Sequence, residues 1–356
     1  MKNILIVFGS MTPEHDLSCK SAATILEGID RTKYRPIAVG ITKEGQWYYT
    51  ESTPEEIHSC TDWVQSPTNK KAMLDINYNA KRLMIFQEDG TISYEPIDCI
   101  FARIAGNTGE DGQLQGLFEL TGIPYVGCGV MSSACSMDKA ISNMFADSIG
   151  LKRPMTQIVM KKDYELNPEE GIKAIMNDLG ARAGFPIFVK PVSTGSSVGI
   201  SKAHNEAELV PALEMAFSYG EKVILEQGIT GTEIKVGVLG NDHPQIGALC
   251  ELTSNGDFND FNTKYVAHTS TKKVPADLAP EVEEMIKQWT LKIYEAMECR
   301  GFSRIDFFLT ENNELVFNEI NSMPGFQPGS VYPVLFDAVG IGYTELISRL
   351  IEAAME

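Results

Sequence analysis

Four polar side chains near the C-terminus are spaced so that they could hold a metal ion. Arg304 and Asp306 alternate with apolar residues in one candidate strand, and Glu319 and Asn321 do so in the next. Side chains two residues apart on a strand share a face, so a hairpin would bring all four together. Mg²⁺ prefers carboxylate and amide oxygens as ligands. Arg304 would lie nearby to stabilise a negative charge that develops during a reaction. A structural network of Arg–carboxylate ion pairs fits this hairpin equally well.

A lysine followed by a loop of small residues is spaced for phosphate binding. Lys190 ends the candidate strand 186–190, and the loop 193–199 is rich in glycine and serine. Backbone N–H groups and hydroxyls in such a loop could cradle phosphate oxygens. The loop lacks the Lys-Ser/Thr pair of a Walker A motif, and no G-x-G-x-x-G follows the first strand. A plain turn is the alternative interpretation of this loop.

Two glutamates follow in the same part of the chain. Glu226 closes the candidate strand 222–226 just before Gln227-Gly228-Ile229, and Glu233 opens the next strand. A carboxylate at a strand end can accept hydrogen bonds from a ribose or an adenine. Isolated glutamates at such positions are more often solvated, so the pair needs support from the rest of the chain.

The elements that must position these residues begin with an α/β pattern. Short β-branched runs at 4–8, 34–41 and 97–104 predict strands, and apolar periodicity predicts a helix over 17–29 after the first strand and another over 112–120 after the third. Strands alternating with helices indicate a doubly wound parallel α/β domain. The polar stretch 50–79 has no strong period and is predicted to be an irregular surface connection.

The remainder of the chain predicts two α+β lobes. Their predicted elements are a helix at 137–149, a strand at 186–190, a helix at 206–217, strands at 222–226, 233–239 and 245–252, a helix at 280–297, and strands at 302–309 and 315–321. The predicted domains are therefore an N-terminal α/β domain (1–125), a central lobe (126–226) and a C-terminal lobe (227–356).

Composition excludes several classes of protein. The 356 residues carry a net charge of -18, which disfavours nucleic acid and anionic membranes as partners. The seven cysteines are scattered, with no C-x-x-C spacing, so a reducing cytoplasm fits better than a disulfide framework or a zinc site. Acidic residues follow the first apolar run at once, and no window approaches the roughly 18 apolar residues of a membrane helix. We expect a cytoplasmic protein.

These motifs together resemble the D-alanine–D-alanine ligases of the ATP-grasp superfamily. The resemblance covers essentially the whole chain, from Lys2 to about Met355. It rests on ordered segments at 14–18 (EHDLS), 109–112 (GEDG), 122–127 (GIPYVG), 137–139 (MDK), 190–191 (KP), 195–199 (GSSVG), 264–265 (KY), 304–306 (RID), 318–321 (NEIN) and 324–325 (PG). It implies an ATP-grasp architecture, ATP and Mg²⁺ as cofactors (two ions, with Mn²⁺ as a substitute), and a homodimer.

The resemblance assigns roles around the nucleotide. It implies phosphate contacts for Lys139 and Lys190, and a γ-phosphate contact for Lys264. The residues that it implies for adenine and ribose are Glu226, Ile229 and Glu233, and those for the two Mg²⁺ ions are Asp306, Glu319 and Asn321. Cations in these positions would offset the repulsion between an attacking carboxylate and a phosphate.

It also assigns roles around the amino acids. Glu14 is similar to the residue that pairs with the first substrate's ammonium and is linked to Ser196 and Tyr265. Tyr265 favours an amine as the nucleophile, because relatives that form a D-alanine–D-lactate ester replace this loop. Arg304 and the Gly325 N–H would stabilise the oxyanion of the tetrahedral intermediate.

Three segments on the acceptor side depart from the family pattern. Ala105 stands where the family has an active-site histidine, 327–330 (QPGS) replaces Thr-Ser-His-Ser, and 259–261 (NDF) replaces Tyr-Asp-Tyr. Cys128 and the segment 301–306 resemble D-alanine–D-serine ligases. Those enzymes carry arginine after the serine that matches Ser330, whereas this chain has Val331, which favours a small apolar acceptor such as D-alanine.

Three hypotheses follow for the function. The first is ATP-dependent ligation of two D-alanine molecules for peptidoglycan precursors. The second is an ATP-grasp ligase that joins D-alanine to D-serine or another amine. The third is a nucleotide-binding homologue without ligase activity, and the complete set of phosphate and metal residues weighs against it.

Overall fold

The computed structural model describes residues 1–195, 198–254 and 270–356. The strands are, in chain order, β1 (Lys2–Gly9), β2 (Tyr34–Ile41), β3 (Trp47–Thr50), β4 (Lys70–Leu74), β5 (Arg82–Phe86), β6 (Ile92–Pro96), β7 (Cys99–Ala102), β8 (Thr156–Met160), β9 (Ile187–Pro191), β10 (Ser201–Ala203), β11 (Lys222–Gln227), β12 (Thr232–Leu239), β13 (Gln245–Ser254), β14 (Ser270–Lys273), β15 (Phe302–Leu309) and β16 (Leu315–Asn321).

Helices cover these strands in all parts of the chain. The α-helices are α1 (His15–Gly28), α2 (Pro54–His58), α3 (Gln113–Thr121), α4 (Val130–Met137), α5 (Lys139–Ser148), α6 (Lys161–Leu166), α7 (Pro168–Ile175), α8 (Ala181–Ala183), α9 (Leu209–Phe217), α10 (Pro280–Ala296), α11 (Val331–Asp337) and α12 (Tyr343–Met355). Short 3₁₀ turns at Asp62–Gln65 and Glu206–Glu208 and a π-helical turn at Met176–Gly180 complete the described elements.

The N-terminal sheet is mixed. Its strand order is β6-β5-β4-β3-β2-β1-β7. The strands β2, β1 and β7 pair in parallel, as the α/β pattern predicts, and the strands from β3 to β6 extend the sheet with antiparallel pairing. β1 is buried from Ile4 onward, because it lies between two parallel neighbours and under helices on both faces.

The prediction of an irregular surface connection at 50–79 was wrong. This stretch contains β4, which is part of the sheet, and its Ile57 and Trp63 side chains are fully buried. Trp63 packs against Phe8 with ring centroids 5.0 Å apart. The apolar residues are too widely spaced to produce a strong local period, and only their long-range packing identifies them as core.

The C-terminal helix α12 packs on the N-terminal sheet. Its Ile347, Leu350 and Ile351 belong to the same buried cluster as Ile4 and Ile6 of β1. The helix therefore covers one face of that sheet, although it ends the C-terminal part of the sequence. This packing joins the first and last segments of the chain in one core.

Two antiparallel sheets form the rest of the molecule. The central sheet has the order β10-β9-β11-β8, and α9 packs on it with Leu209, Leu213 and Ala216 buried. The C-terminal sheet has the order β14-β13-β12-β15-β16, with α10 against it through Ile286 and Ile293. These two sheets carry Lys190, Glu226 and Glu233, which are predicted to bind ATP, and the predicted metal ligands Asp306, Glu319 and Asn321. No helix within the described ranges is long and apolar enough to cross a membrane.

Candidate active site

The predicted hairpin forms, and its register brings the four polar residues together. In the β15–β16 pair, Arg304 lies opposite Asn321 and Asp306 lies opposite Glu319. Directly opposite residues of an antiparallel pair project to the same face. Both strands have the predicted bounds. We refer to Asp306, Glu319 and Asn321 as the clamp.

Asp306 is the most strongly held carboxylate of the clamp. It is fully buried. Arg304 donates from Nε to Oδ1 at 2.7 Å and from Nη2 to Oδ2 at 2.8 Å, and Lys235 Nζ donates to Oδ2 at 2.8 Å. Burial acts to raise the pKa of this carboxyl, but Arg304 and Lys235 together hold it well below its usual range. Asp306 is therefore ionised at any working pH.

Lys235 is a site residue that the sequence analysis missed. It lies opposite Asp306 in the β12–β15 pair, is buried, and also donates from Nζ to Glu233 Oε1 at 2.6 Å. Burial lowers its pKa, but Asp306 and Glu233 outweigh this effect and raise it to about 12. The signal in the sequence is the alternation of Glu233 and Lys235 on one face of β12. Only the register of the β12–β15 pair shows that this face of β12 lies beside Asp306, and the sequence alone does not give that register.

The clamp fits a divalent cation. The side-chain amide nitrogen of Asn321 is buried without a hydrogen-bond partner among the described residues. Because amide oxygen and nitrogen are assigned from their surroundings, the amide can equally direct its oxygen inward as a ligand. No group of three or more carboxylate, histidine or cysteine side chains in the described ranges is arranged so that it could hold a metal ion by itself. Two carboxylates and an amide suffice for Mg²⁺ when substrate phosphates complete the coordination.

Lys139 connects the clamp to the loop 193–199, which is predicted to bind phosphate and which we call the phosphate loop. It is the first residue of α5, and its Nζ donates to the Thr194 carbonyl at 2.8 Å and lies 3.9 Å from Glu319 Oε2. Asp138 caps this helix by accepting from the N–H groups of Ala140 and Ile141. Burial lowers the pKa of Lys139, and Glu319 opposes that shift. The predicted phosphate and metal sites are thus adjacent.

Lys190 and Glu226 form a buried ion pair on the central sheet. They lie on the neighbouring strands β9 and β11, and the Lys190 ammonium contacts the Glu226 carboxylate. Both side chains were predicted to contact the nucleotide, which requires each to face the same cleft. The ion pair meets that requirement, and it holds both groups in place.

The linker from β11 to β12 carries Ile229, which is half-buried. It borders a cavity of about 680 Å³ that Leu151, Arg153 and Val316 also line. Lys139 and Lys190 do not line it. The cavity therefore adjoins the linker and not the phosphate loop.

Glu14 faces a close turn of the N-terminal domain. A side-chain carbon added at Gly106 would lie 2.3 Å from Glu14 Oε2, and Gly106 has a φ of +78°. Only glycine combines this approach with this backbone conformation. Ala105 is buried, and its carbonyl accepts from the Thr12 hydroxyl at 3.3 Å. The alanine at a position where the family has histidine therefore lies beside the predicted ammonium-binding carboxylate.

Glu110 is a second functional candidate without a role in the sequence analysis. Burial raises the pKa of its carboxyl to about 7, Arg103 opposes the shift, and Glu14 adds to it. Arg304 is also close enough to affect this carboxyl. Glu110 thus lies between the N-terminal domain and the clamp. The sequence feature that could have identified Glu110 is the segment 109–112, which matches the family but was given no role in the sequence analysis.

Gly325 and Ser330 lie together beyond β16. A side-chain carbon added at Gly325 would lie 3.2 Å from Ser330 Oγ. Ser330 precedes α11, and Val331 is the first residue of that helix and half-buried. Tyr332 of α11 is fully buried and donates to the Val238 carbonyl at 2.9 Å, which fixes the start of the helix on β12.

Ser196, Lys264, Tyr265 and the segment 259–261 lie outside the described residues. Their predicted roles at the γ-phosphate and the acceptor therefore stay predictions. Among the described site residues, the structure brings Lys139, Thr194 and the clamp together on one side, and Glu14, Gly106 and Glu110 on the other.

Comparisons with known proteins agree with this arrangement. The family model described as D-ala D-ala ligase N-terminus matches residues 3–128, and the D-ala D-ala ligase C-terminus matches residues 145–352. The chain is 37% identical to a D-alanine–D-alanine ligase of Acetivibrio thermocellus, with 100% of this chain and 96% of that protein aligned. It is 38% identical to one of Caldicellulosiruptor bescii, with 99% and 95% aligned.

Solved structures share the fold over nearly their whole length. The VanG D-Ala:D-Ser ligase from Enterococcus faecalis superposes with a TM-score of 0.88 at 34% identity, covering 99% of each chain. The D-alanine–D-alanine ligase from Coxiella burnetii superposes with a TM-score of 0.86 at 29% identity, covering 99% of this chain and 94% of that one. The ATP-grasp fold is thereby confirmed, and the chain belongs to the D-alanine–D-alanine ligase family, whose members are ATP-dependent ligases that form a C–N bond.

Proposed function

We propose that this protein joins two D-alanine molecules with the hydrolysis of ATP to ADP and phosphate, in the synthesis of peptidoglycan precursors in the cytoplasm. The observation that carries the proposal is the position of Lys139. Its ammonium contacts both the phosphate loop at Thr194 and the clamp at Glu319. A triphosphate held by that loop would therefore have its terminal phosphate beside the clamp. We further propose that the active form is a homodimer.

The first step joins a carboxylate to a phosphate. An oxygen of the first D-alanine's carboxylate attacks the γ-phosphorus, and the bond from that phosphorus to the β–γ bridging oxygen breaks, releasing ADP. Lys139 and Lys190 offset the charge between the two anions, and Lys264 is proposed to do so at the γ-phosphate. Asp306, Glu319 and Asn321 would hold Mg²⁺, two ions in the full complex or Mn²⁺ in their place, and these ions would supply further positive charge at the phosphates.

The second step joins the amine to the activated carbonyl. The amine of the second D-alanine attacks the acyl carbon, phosphate leaves, and the amine gives up a proton. Arg304 and the Gly325 N–H are proposed to stabilise the oxyanion that forms on the way. Glu14 would hold the ammonium of the first D-alanine, with Ser196 and Tyr265 linked to it. Ser330 and Val331 would border the second.

Nucleotide positioning rests on the central sheet and the linker. Glu226, Ile229 and Glu233 are proposed to hold adenine and ribose. Glu226 is buried in its pair with Lys190, and Glu233 is held by Lys235. Both carboxylates are therefore held in fixed positions before the nucleotide arrives, which reduces the ordering that binding requires.

The test is amino-acid-dependent release of ADP with product identification by mass. With D-alanine alone, the protein should release ADP and form the dipeptide, and Glu319→Gln should release almost none. D-serine and D-lactate are then added separately. A mixed product formed in preference to the D-alanine dipeptide would establish the second hypothesis. Absence of both ADP and product with every amino acid would overturn the proposed function.

A further inference from the structure

Lys272 is a cation on the clamp face of the C-terminal sheet, and the two proposed reaction steps do not use it. It lies in β14, an edge strand, opposite Leu252 of β13, and Leu252 also lies opposite Glu233 of β12. Directly opposite residues of antiparallel strands project to the same face, and so do residues two apart in one strand. Lys272 therefore shares a face with Glu233. Asp306 shares it too, because it lies opposite Lys235 in the β12–β15 pair.

The side chain of Lys272 extends toward the loop on the acceptor side. Its Nζ lies 3.5 Å from the carbonyl oxygen of Gly329, the residue before Ser330. Ser330 in turn lies beside Gly325, where an added side-chain carbon would be 3.2 Å from the Ser330 Oγ. The edge strand β14 and the loop before α11 thus meet next to a residue that is proposed to border the second amino acid.

The charge of Lys272 is not offset in the way that the charges beside Asp306 are. Arg304 and Lys235 both form ion pairs with that buried carboxylate. Lys272 forms no ion pair with a carboxylate in the described ranges, and its contact with Gly329 is long for a hydrogen bond. The side chain is exposed, and an ammonium has three donors, so Lys272 can still bind an incoming anion.

The position of Lys272 favours a carboxylate over a phosphate as that anion. Lys139 approaches the clamp at Glu319 of β16, at the other edge of the sheet. Four inter-strand spacings separate β14 from β16, which is about 19 Å. The second amino acid, in contrast, brings its α-carboxylate to the acceptor side, because this group and the attacking amine are joined to the same carbon.

We propose that Lys272 binds the α-carboxylate of the second amino acid and thereby favours acceptors that carry a free carboxylate. The proposal rests on the proposed ligase function, because it takes the loop before α11 as the border of the acceptor. It adds a residue of an edge strand to Ser330 and Val331. No bond forms or breaks at Lys272, which only positions the acceptor for attack by its amine.

The test is a competition in one reaction between two acceptors, D-alanine and D-alaninamide, which differ in the free carboxylate. D-alanine is the donor for both products, and the dipeptide and the dipeptide amide are counted by mass. Both products arise from the same acyl-phosphate, so their ratio reports the choice of acceptor alone. Lys272→Met should reduce the wild-type preference for D-alanine by about tenfold, as expected for loss of a hydrogen bond between charged groups.

Two further variants define the cause. Lys272→Arg keeps a cation at this position and should keep most of the preference. Lys273→Met changes the net charge equally, but Lys273 projects to the other face and pairs with Asp277 at 2.9 Å, so this variant should match the wild type.

A second measurement uses D-alanine as the only amino acid. The D-alanine concentration that gives the half-maximal rate should rise about tenfold in Lys272→Met, and the KM for ATP should not change. This measurement decides where the wild type makes no amide product.

The possible results separate this inference from the proposed function. If Lys272→Met changes neither the product ratio nor the half-saturating D-alanine concentration, Lys272 does not bind the acceptor, and the ligase activity still stands. A raised KM for ATP with an unchanged choice of acceptor would overturn the inference in favour of a phosphate contact. Equal changes in Lys273→Met would overturn it in favour of net charge. No dipeptide from the wild type would overturn the proposed function itself.

Discussion

The nucleotide and acceptor sides of the candidate site are built from different kinds of structure. The clamp and Lys235 lie on the paired strands β12, β15 and β16, and Lys235 and Arg304 hold Asp306 in ion pairs. On the acceptor side, Ala105 and Gly106 lie in the loop after β7, and Val331 begins a helix. The clamp side retains the family pattern, and the acceptor side departs from it.

This contrast indicates where the family can change its substrate. A residue between hydrogen-bonded strands is fixed by its neighbours on both sides, and changing it disturbs several ion pairs. A loop residue has fewer such constraints, so loops on a rigid scaffold accommodate variation. We therefore propose that the catalytic charge array and the choice of acceptor are carried by separable parts of the molecule.

The largest expected effect comes from breaking the clamp side. Asp306→Asn removes a buried carboxylate and leaves Arg304 and Lys235 without their shared partner. The free energy of unfolding should fall by about 3–5 kcal/mol. ADP release should fall by about a hundredfold or more, since changes outside the direct ligands alone reach that size. Urea unfolding and the ADP assay measure the two effects.

The control for this variant is Asp98→Asn. Asp98 pairs with Lys2, and both side chains are substantially exposed. Its loss should lower stability by less than about 1 kcal/mol, because exposed ion pairs contribute little. Equal costs for the two substitutions would contradict the view that burial makes the clamp rigid.

The next effect concerns Glu110, where the two sides meet. The pKa of its carboxyl rises from 4.5 to about 7. Between these values the folded protein holds a proton that the unfolded chain has lost, so its stability should fall as the pH rises through this window. Below pH 4.5 the titration of Glu110 costs the protein no stability, and above about pH 7 the loss of stability is complete and constant.

Thermal unfolding of the wild type and of Glu110→Gln, measured between pH 4.5 and 8, tests this prediction. This range spans the ordinary pKa of the carboxyl and its raised value. The glutamine variant does not titrate at this position, so it should lose less stability than the wild type as the pH rises. Parallel curves for the two proteins would show that burial does not raise the pKa of this carboxyl.

A smaller effect is expected from the acceptor side. Val331→Arg places a cation where the D-alanine–D-serine ligases of the resemblance carry arginine. The ratio of kcat/KM for D-serine to that for D-alanine should rise by about tenfold, the size of discrimination that a single hydroxyl allows. Competition between the two acceptors, with products counted by mass, measures the ratio. The KM for ATP should be unaffected.

Val339→Arg is the matched control, because Val339 is exposed just beyond the far end of α11. It should leave the acceptor ratio unchanged. A similar shift in both variants would assign the effect to overall charge and not to the position of Val331. A changed KM for ATP in Val331→Arg would contradict the separation of the two sides.

The sequence could predict features that depend on neighbouring residues. The bounds of β15 and β16 follow from alternation within each strand, and so does the clamp that they carry. The sequence did not predict a role for Lys235, because its partner Asp306 is distant in sequence. The two residues belong to a strand pair that alternation alone does not identify. The same reason explains why the sequence did not predict the burial of Trp63 or the packing of α12, both of which belong to the buried cluster that contains Ile4 and Ile6 of β1.

The resemblance predicted roles that geometry alone would not assign. Lys190 and Glu226 form an ion pair that, taken by itself, is equally typical of a structural contact. The order of the family segments relates this pair to a nucleotide. In contrast, Glu110 belonged to a matched segment, yet its raised pKa depends on burial in the folded protein and on the nearby Glu14 carboxylate.

The smallest effect should come from Lys222→Met, which tests whether charge or burial distinguishes the clamp. Lys222 donates to Asp138 Oδ2 at 2.7 Å, a contact as short as those at Asp306 but only partly buried. Asp138 keeps its bonds to the N-terminus of α5 without Lys222. The free energy of unfolding should therefore fall by less than about 1 kcal/mol in urea, and the KM for ATP should change little. A loss of stability close to that of Asp306→Asn would mean that short ion pairs stabilise this protein regardless of burial. Burial between the strands would then not distinguish the ion pairs of Asp306 from those at the surface.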